Sequence, residues 1–162
     1  MIHLIVGNTG SGKTTYSNAL KKESGGLIFS IDQWNNALFI PDKQETDGLD
    51  WFLERIDRVE GLMMELIKQL ESSGIDAILD LGLSKFTHRE KFRQFAVEQG
   101  FQIRLHYLDI PKEIRYKRIV QRNHEKGETF EFEVTDENFE FMEGWFETPR
   151  KSELLDAKII LG

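Results

Sequence analysis

Short apolar runs alternate with longer amphipathic stretches along this chain. Runs at 2–6, 27–31, 75–81, 102–108 and 158–161 are of strand length, and most lack in/out alternation, the pattern of strands covered on both faces. Between them, 13–24 reads as a helix. Trp51, Phe52, Ile56, Val59, Leu62, Met63, Leu66, Ile67 and Leu70 recur at three- and four-residue steps, predicting a long amphipathic helix whose aromatic and methionine side chains belong to the core. Further helices are predicted over 86–99, closed by Gly100, and from Pro111, well suited to a first helical turn, to about Arg122. Such alternation of strand and helix predicts an α/β fold, a buried parallel sheet with helices on both faces.

The helical pattern stops after the arginine-bearing stretch. About residues 123–135, rich in glycine, acids and phenylalanines, are predicted to form a loop or lid, and a last helix is predicted from the N-cap Thr135 to a point before Pro149. Acids at Glu125, Glu128, Glu131, Glu133, Asp136, Glu137, Glu140, Glu143 and Glu147 face the single base Lys126 across this region. They are either a solvated face or a selector for a cationic acceptor.

Composition narrows the classes. The 162 residues predict one domain spanning 1–162, and 40% hydrophobic with 30% charged residues describes an ordinary globular chain. Lysine plus arginine is 21 against 28 acids, a balance of −7, the wrong sign for nonspecific binding to nucleic acid or an anionic membrane. The chain has no cysteine, which excludes disulfides, thiolate zinc sites and cysteine nucleophiles, and its four histidines (3, 88, 106 and 124) have no metal-ligand spacing. The first residues carry neither a basic n-region nor enough apolar length for a signal peptide or a membrane span, so a cytoplasmic address is expected.

The strongest chemical signal is Gly7-Asn8-Thr9-Gly10-Ser11-Gly12-Lys13-Thr14, which fits G-x-x-x-x-G-K-[ST] between a predicted strand and a predicted helix. Its glycines let the backbone turn tightly and aim successive N–H groups inward, and the helix adds its positive end to the same cradle. Gly7 to Thr15 are the candidate nucleotide-binding residues. Lys13 is expected on the β- and γ-phosphates, and the Thr14 hydroxyl on a magnesium ion. The dinucleotide fingerprint G-x-G-x-x-G fails because Thr15 stands where its third glycine would be. Neither G-x-S-x-G, H-E-x-x-H nor the H-R-D and D-F-G pair of protein kinases is present. The GTPase tetrapeptide N-K-x-D is also absent, which favours ATP over GTP.

Ligands of open α/β sheets bind at the carboxyl ends of the strands. Asp80, closing an apolar run, is the candidate Walker B carboxylate holding Mg2+ with Thr14; its plainer reading is a strand-ending cap. Asp32, after the second run, is the candidate general base for an incoming hydroxyl, or an N-cap for a helix over 33–39, or both. Trp34 either flanks the acceptor or packs in the core. Arg118 and Arg122 share a helical face and, if that face looks inward, supply the cations that stabilise transferring phosphate; the alternative is surface salt bridging. Arg89 belongs either at the rim of the same site or in solvent.

These residues together resemble the small P-loop kinases of the AAA-type ATP-binding family, grouped with the kinase domain of polynucleotide 5′-kinase, the zeta-toxin kinases and chloramphenicol phosphotransferase. The likeness covers nearly the whole chain: the Gly7–Thr14 loop, Ser30-Ile31-Asp32, Ile78-Leu79-Asp80 followed by Arg89, Tyr107-Leu108-Asp109-Ile110-Pro111, and Arg118-x-x-x-Arg122-Asn123. It implies a P-loop NTPase fold with a five-stranded parallel sheet of order 2-3-1-4-5. It further implies Asp32 as base, Arg89 in contact with the acceptor, and lid arginines on the transferring phosphate. One departure is that Asp32 is followed by Gln33-Trp34-Asn35, without the charged residues some relatives use for the acceptor, so substrate identity stays open. The expectation is an ATP- and Mg2+-dependent kinase acting on a hydroxyl of a small-molecule or nucleotide-like acceptor. The alternatives are a polynucleotide 5′-hydroxyl kinase, disfavoured by the net charge, and a nucleotide-dependent switch or slow ATPase without a phosphorylated product.

Overall fold

The fold was analysed in a computed structural model that describes residues 1–127, 130 and 133–162. Part of the expected lid, with Glu128 and Glu131, lies outside the described residues. Five strands, β1 (Ile2–Val6), β2 (Leu27–Ser30), β3 (Ala77–Asp80), β4 (Ile103–Asp109) and β5 (Lys158–Leu161), form one sheet of order β2-β3-β1-β4-β5. Every pairing is parallel, with Leu4 opposite Leu79, Ser30 opposite Asp80, Val6 opposite Tyr107 and Asp109 opposite Leu161. The P-loop NTPase fold implied by the sequence is therefore present, strand order included.

Residues alternate between the two faces of each strand, and each face has its own helices. On one face Ile2, Leu4, Val6, Phe29 and Leu79 pack with Val59, Met63 and Ile67 of α3 (Leu49–Ser72) and with Phe92 and Ala96 of α4 (Phe86–Gln99). On the other, Ile5, Ile78 and Leu108 meet Leu20 of α1 (Lys13–Ser24) and Ile114 of α5 (Lys112–Glu125). The predicted stripe of α3 is core from Ile56 to Leu70, except Leu62, which is 54% exposed; Trp51 and Phe52, expected in the core, pack edge to face on each other in the first turn instead. A third cluster, Ile119, Val134 and Phe139, joins α5 to α6 (Asp136–Trp145).

Element boundaries differ from expectation where a side chain intervenes. β2 stops at Ser30 because the Ser30 hydroxyl caps the next helix, α2 (Ile31–Leu38), accepting from the Gln33 N–H at 3.4 Å. Asp32 is therefore not the N-cap; it sits in the first turn, where its charge suits the helix dipole. Thr135 caps α6 as expected, accepting from Asn138 N–H at 3.2 Å. α5 runs to Glu125 rather than Arg122, and the Asn123 amide ties the chain beyond it, donating to Val134 O at 2.7 Å and accepting from Val134 N at 3.2 Å.

Candidate nucleotide and phosphoryl-transfer site

The loop from Gly7 to Gly12 leaves the central strand β1 and opens directly into α1. Gly10 and Gly12 have φ of +80° and +92°, a region that L side chains rarely adopt, and a Cβ on Gly10 would lie 2.6 Å from the Arg115 carbonyl oxygen. Gly12 occupies the N-cap of α1 with no side-chain cap, so the first amides of that helix remain for an anion. Lys13 folds back over the loop, its ammonium donating to Gly7 O at 3.0 Å. Burial pulls its pKa below the usual lysine range, while Asp80 and Asp32 oppose the shift.

β3 lies beside β1, and its last residue delivers Asp80 to the loop. The Thr14 hydroxyl donates to Asp80 Oδ2 at 3.0 Å. Asp80 is 7% exposed, and burial pushes its carboxyl above the ordinary range against the pull of Lys13 and Thr14. A buried carboxylate beside a hydroxyl, opposite a phosphate cradle, is a donor set that fits a hard divalent cation sharing oxygens with a nucleotide. Thr14 and Asp80, the two expected metal ligands, lie side by side at the end of β3.

α5 forms the opposite wall. Arg118 Nη1 donates to Ser11 O at 3.1 Å, and both Arg118 and Arg122 line the cavity with Gly7, Lys13, Thr14, Asp32 and Asp80. Arg122 Nε and Nη2 are buried without a hydrogen-bond partner among the described residues, and burial lowers the pKa of Arg122, a shift that the Asp32 carboxylate opposes. Donors left unsatisfied in this way are costly unless an anion meets them. The cavity encloses about 570 Å³, within the range of small-molecule sites.

Other expected residues go elsewhere. Arg89, which the resemblance put on the acceptor, is 0% exposed; it donates to Glu153 at 2.7 and 3.2 Å and to Leu83 O at 3.0 Å, pinning α4 to the turn Lys151–Glu153. No face of it remains for a ligand. Trp34 packs on Phe29, with ring centroids 5.9 Å apart, and does not line the cavity. Asn8 and Ser11 line no part of it through their side chains: Asn8 Nδ2 donates to Glu143 at 2.6 Å, and Ser11 is 2% exposed.

Sequence reading missed the role of α6. Arg115 donates to Thr9 O and Ile110 O at 3.1 and 2.9 Å and grips Glu143 with two bonds of 2.6 and 3.0 Å, so one buried guanidinium joins the phosphate loop, α5 and α6. Glu140 pairs with Lys112 at 2.8 Å and Asp136 accepts from Tyr116 at 3.0 Å. The acids of α6 thus largely serve to dock the helix, which removes them as a selector for a cationic acceptor. Asn138, Phe141 and Met142 line the cavity together with Gly82 and Ser84. Their spacing of i, i+3 and i+4 was the available signal, hidden beneath the density of acids.

A phosphate loop between the first strand and helix of a 2-3-1-4-5 parallel sheet, with a strand-end aspartate on its threonine, defines a nucleotide-binding P-loop protein. Residues 2–149 match the family model described as an AAA domain, and the chain belongs to that family. No curated protein matches the chain. Among solved structures it resembles Kti12 of Chaetomium thermophilum in complex with ADP-AlF3, at 14% identity and TM-score 0.71 over 100% of this chain and 88% of that one. A putative kinase from Chloroflexus aurantiacus matches at 15% identity and TM-score 0.69, over 99% and 84% of the two chains. The APS kinase of Mycobacterium tuberculosis, solved with AMPPNP and APS, matches at 16% identity and TM-score 0.65, over 99% and 87%. At these identities the likeness is one of fold. No helix among the described residues is long and apolar enough to cross a membrane.

Proposed function

We infer that the protein is an ATP-dependent kinase that moves the γ-phosphoryl group to a hydroxyl of a small-molecule or nucleotide-like acceptor. One observation carries this reading: Arg122, with two buried donor nitrogens unpartnered among the described residues, lines the same cavity as Lys13, the loop glycines and Asp32. A purely binding loop needs the cradle alone, whereas transfer also needs cations on the far side of the departing phosphoryl group. Solved kinases among the structural neighbours support the same class.

Lys13 and the loop amides would hold the β- and γ-phosphates, and Arg118 and Arg122 would neutralise charge on the transferring oxygens. Thr14 and Asp80 would hold Mg2+, which supplies charge neutralisation on the phosphate oxygens when bound. Asp32, beyond the end of β2, would accept the acceptor's hydroxyl proton. The new bond joins the acceptor oxygen to the γ-phosphorus, the bond to the β–γ bridging oxygen breaks, and ADP leaves. Transfer of labelled γ-phosphate from ATP onto pooled metabolites and a 5′-hydroxyl oligonucleotide tests this. The expected result is a labelled product whose formation falls by orders of magnitude in Asp32→Asn with ATP binding intact. ATP turnover with no labelled product would refute it, and a labelled oligonucleotide lost steeply with salt would instead mark a polynucleotide kinase.

A further inference from the structure

α6 turns two different faces to its surroundings. Phe139 and Glu143 dock on α5 and the phosphate loop, whereas Asn138, Phe141 and Met142 line the cavity. Phe141 is 61% exposed, and its ring stacks on Trp145 at 5.7 Å with planes 20° apart. Phe141 thus offers an exposed aromatic face on the lining of the cavity that holds the phosphate loop.

Its position assigns it to the acceptor. The C-terminal end of α6 is fastened to the loop after β3: the Lys85 ammonium lies 4.1 Å over the Trp145 ring, and Glu147 N donates to Ser84 O at 2.8 Å. β3 sits between β1 and β2, so this wall is on the Asp32 side of the phosphate loop. Arg118 and Arg122 come from α5, which follows β4 on the other side of β1.

Charge then limits what can lie there. Among the described residues, the cavity-lining cations are Lys13 of the loop and Arg118 and Arg122 of α5, and the Asp32 carboxylate already acts on Lys13 and Arg122. The wall made by Gly82, Ser84, Asn138, Phe141 and Met142 is uncharged. The nearest bases in sequence are committed elsewhere, Lys85 to Trp145 and to Glu147 at 3.3 Å, and Arg89 to Glu153. A phosphate or sulfate carried by the acceptor against that wall would find no counter-ion in it and would meet the repulsion of the Asp32 carboxylate.

The geometry points to an uncharged acceptor with a flat apolar face, of the nucleoside or aryl-diol kind. It stacks on Phe141, and Asn138 and Ser84 meet its polar groups. This deepens the kinase reading and rests on it. The test is labelled phosphoryl transfer from ATP to paired acceptors, the common ribonucleosides and phenylethanediol, each set against nucleoside monophosphates and glycerol phosphate. Neutral members are expected to show kcat/KM at least about tenfold above the phosphate-bearing ones, and Phe141→Ala to raise acceptor KM about tenfold with ATP KM unchanged, restored by Phe141→Trp. Preference for the phosphate-bearing set, or an acceptor KM indifferent to Phe141→Ala, would overturn the inference and leave the kinase standing. No transfer to any of the molecules would overturn both.

Discussion

Removing the Glu143 carboxylate should release α6 from the phosphate loop. It accepts from Arg115 at 2.6 and 3.0 Å and from Asn8 at 2.6 Å, while the two paired side chains are only 7% and 20% exposed. Breaking a buried ion pair from one side costs about 3–5 kcal/mol, because a desolvated charge is left behind. Here Arg115 keeps the Thr9 and Ile110 carbonyls as acceptors and Glu143 is partly wetted, so Glu143→Ala is expected to cost about 2–3 kcal/mol. For a chain of this size that lowers Tm by roughly 5–10 °C. Urea unfolding followed by circular dichroism measures the loss, and Glu143→Gln, which keeps an acceptor but not the charge, should lose about half as much. In Arg115→Met with Glu143→Ala the losses should be clearly less than additive, since the second change removes the stranded charge. Because α6 carries Phe141 and Met142, Glu143→Ala should also weaken acceptor binding more than ATP binding. Unfolding of Glu143→Ala within about 0.5 kcal/mol of the parent would refute this account of how α6 is held.

Three further outcomes follow from the same geometry. Asp80→Asn removes a carboxylate that burial holds above its usual pKa, so the ligand-free protein should melt no lower than the parent, while the Mg2+-dependent part of its thermal stabilisation by ATP disappears; calorimetric melts with and without Mg2+ read both. His106, 2% exposed between His3 (2.9 Å) and the Tyr16 hydroxyl (2.8 Å), has its pKa pulled down to about 4 by burial, then by His3 and nearby bases. A depressed histidine resists protonation in the fold, so stability should be fully present above about pH 6.5 and fall by about 3 kcal/mol as pH drops to about 4; urea midpoints that stay flat over this window would contradict it. Ser30→Ala deletes the cap of α2 and should cost about 1 kcal/mol; it should also reduce kcat more than ATP affinity, because Asp32 sits in that first turn, as steady-state kinetics would record.

Much of the fold could be read from local pattern. Covered parallel strands must be apolar on both faces, and helices over them must carry a 3.6-residue stripe; α1 and α4 fall on the residues the pattern predicts. The phosphate loop was equally plain, because its chemistry uses backbone amides and two adjacent side chains, all local in sequence. What a side chain does once it reaches the site depends instead on which distant groups compete for it, and those are brought together only by packing. Arg89, close after Asp80 in sequence, is consumed by Glu153, sixty-four positions away; Arg115 is spent on Glu143, while Arg122 on the same helix has two donor nitrogens without a partner among the described residues. Local sequence therefore determined the glycine-rich loop and the layers around it, and tertiary structure alone decided that Arg89 and Arg115 are held by carboxylates while Arg118 and Arg122 line the cavity together with the uncharged Asn138, Phe141 and Met142, because only packing brings such distant groups together.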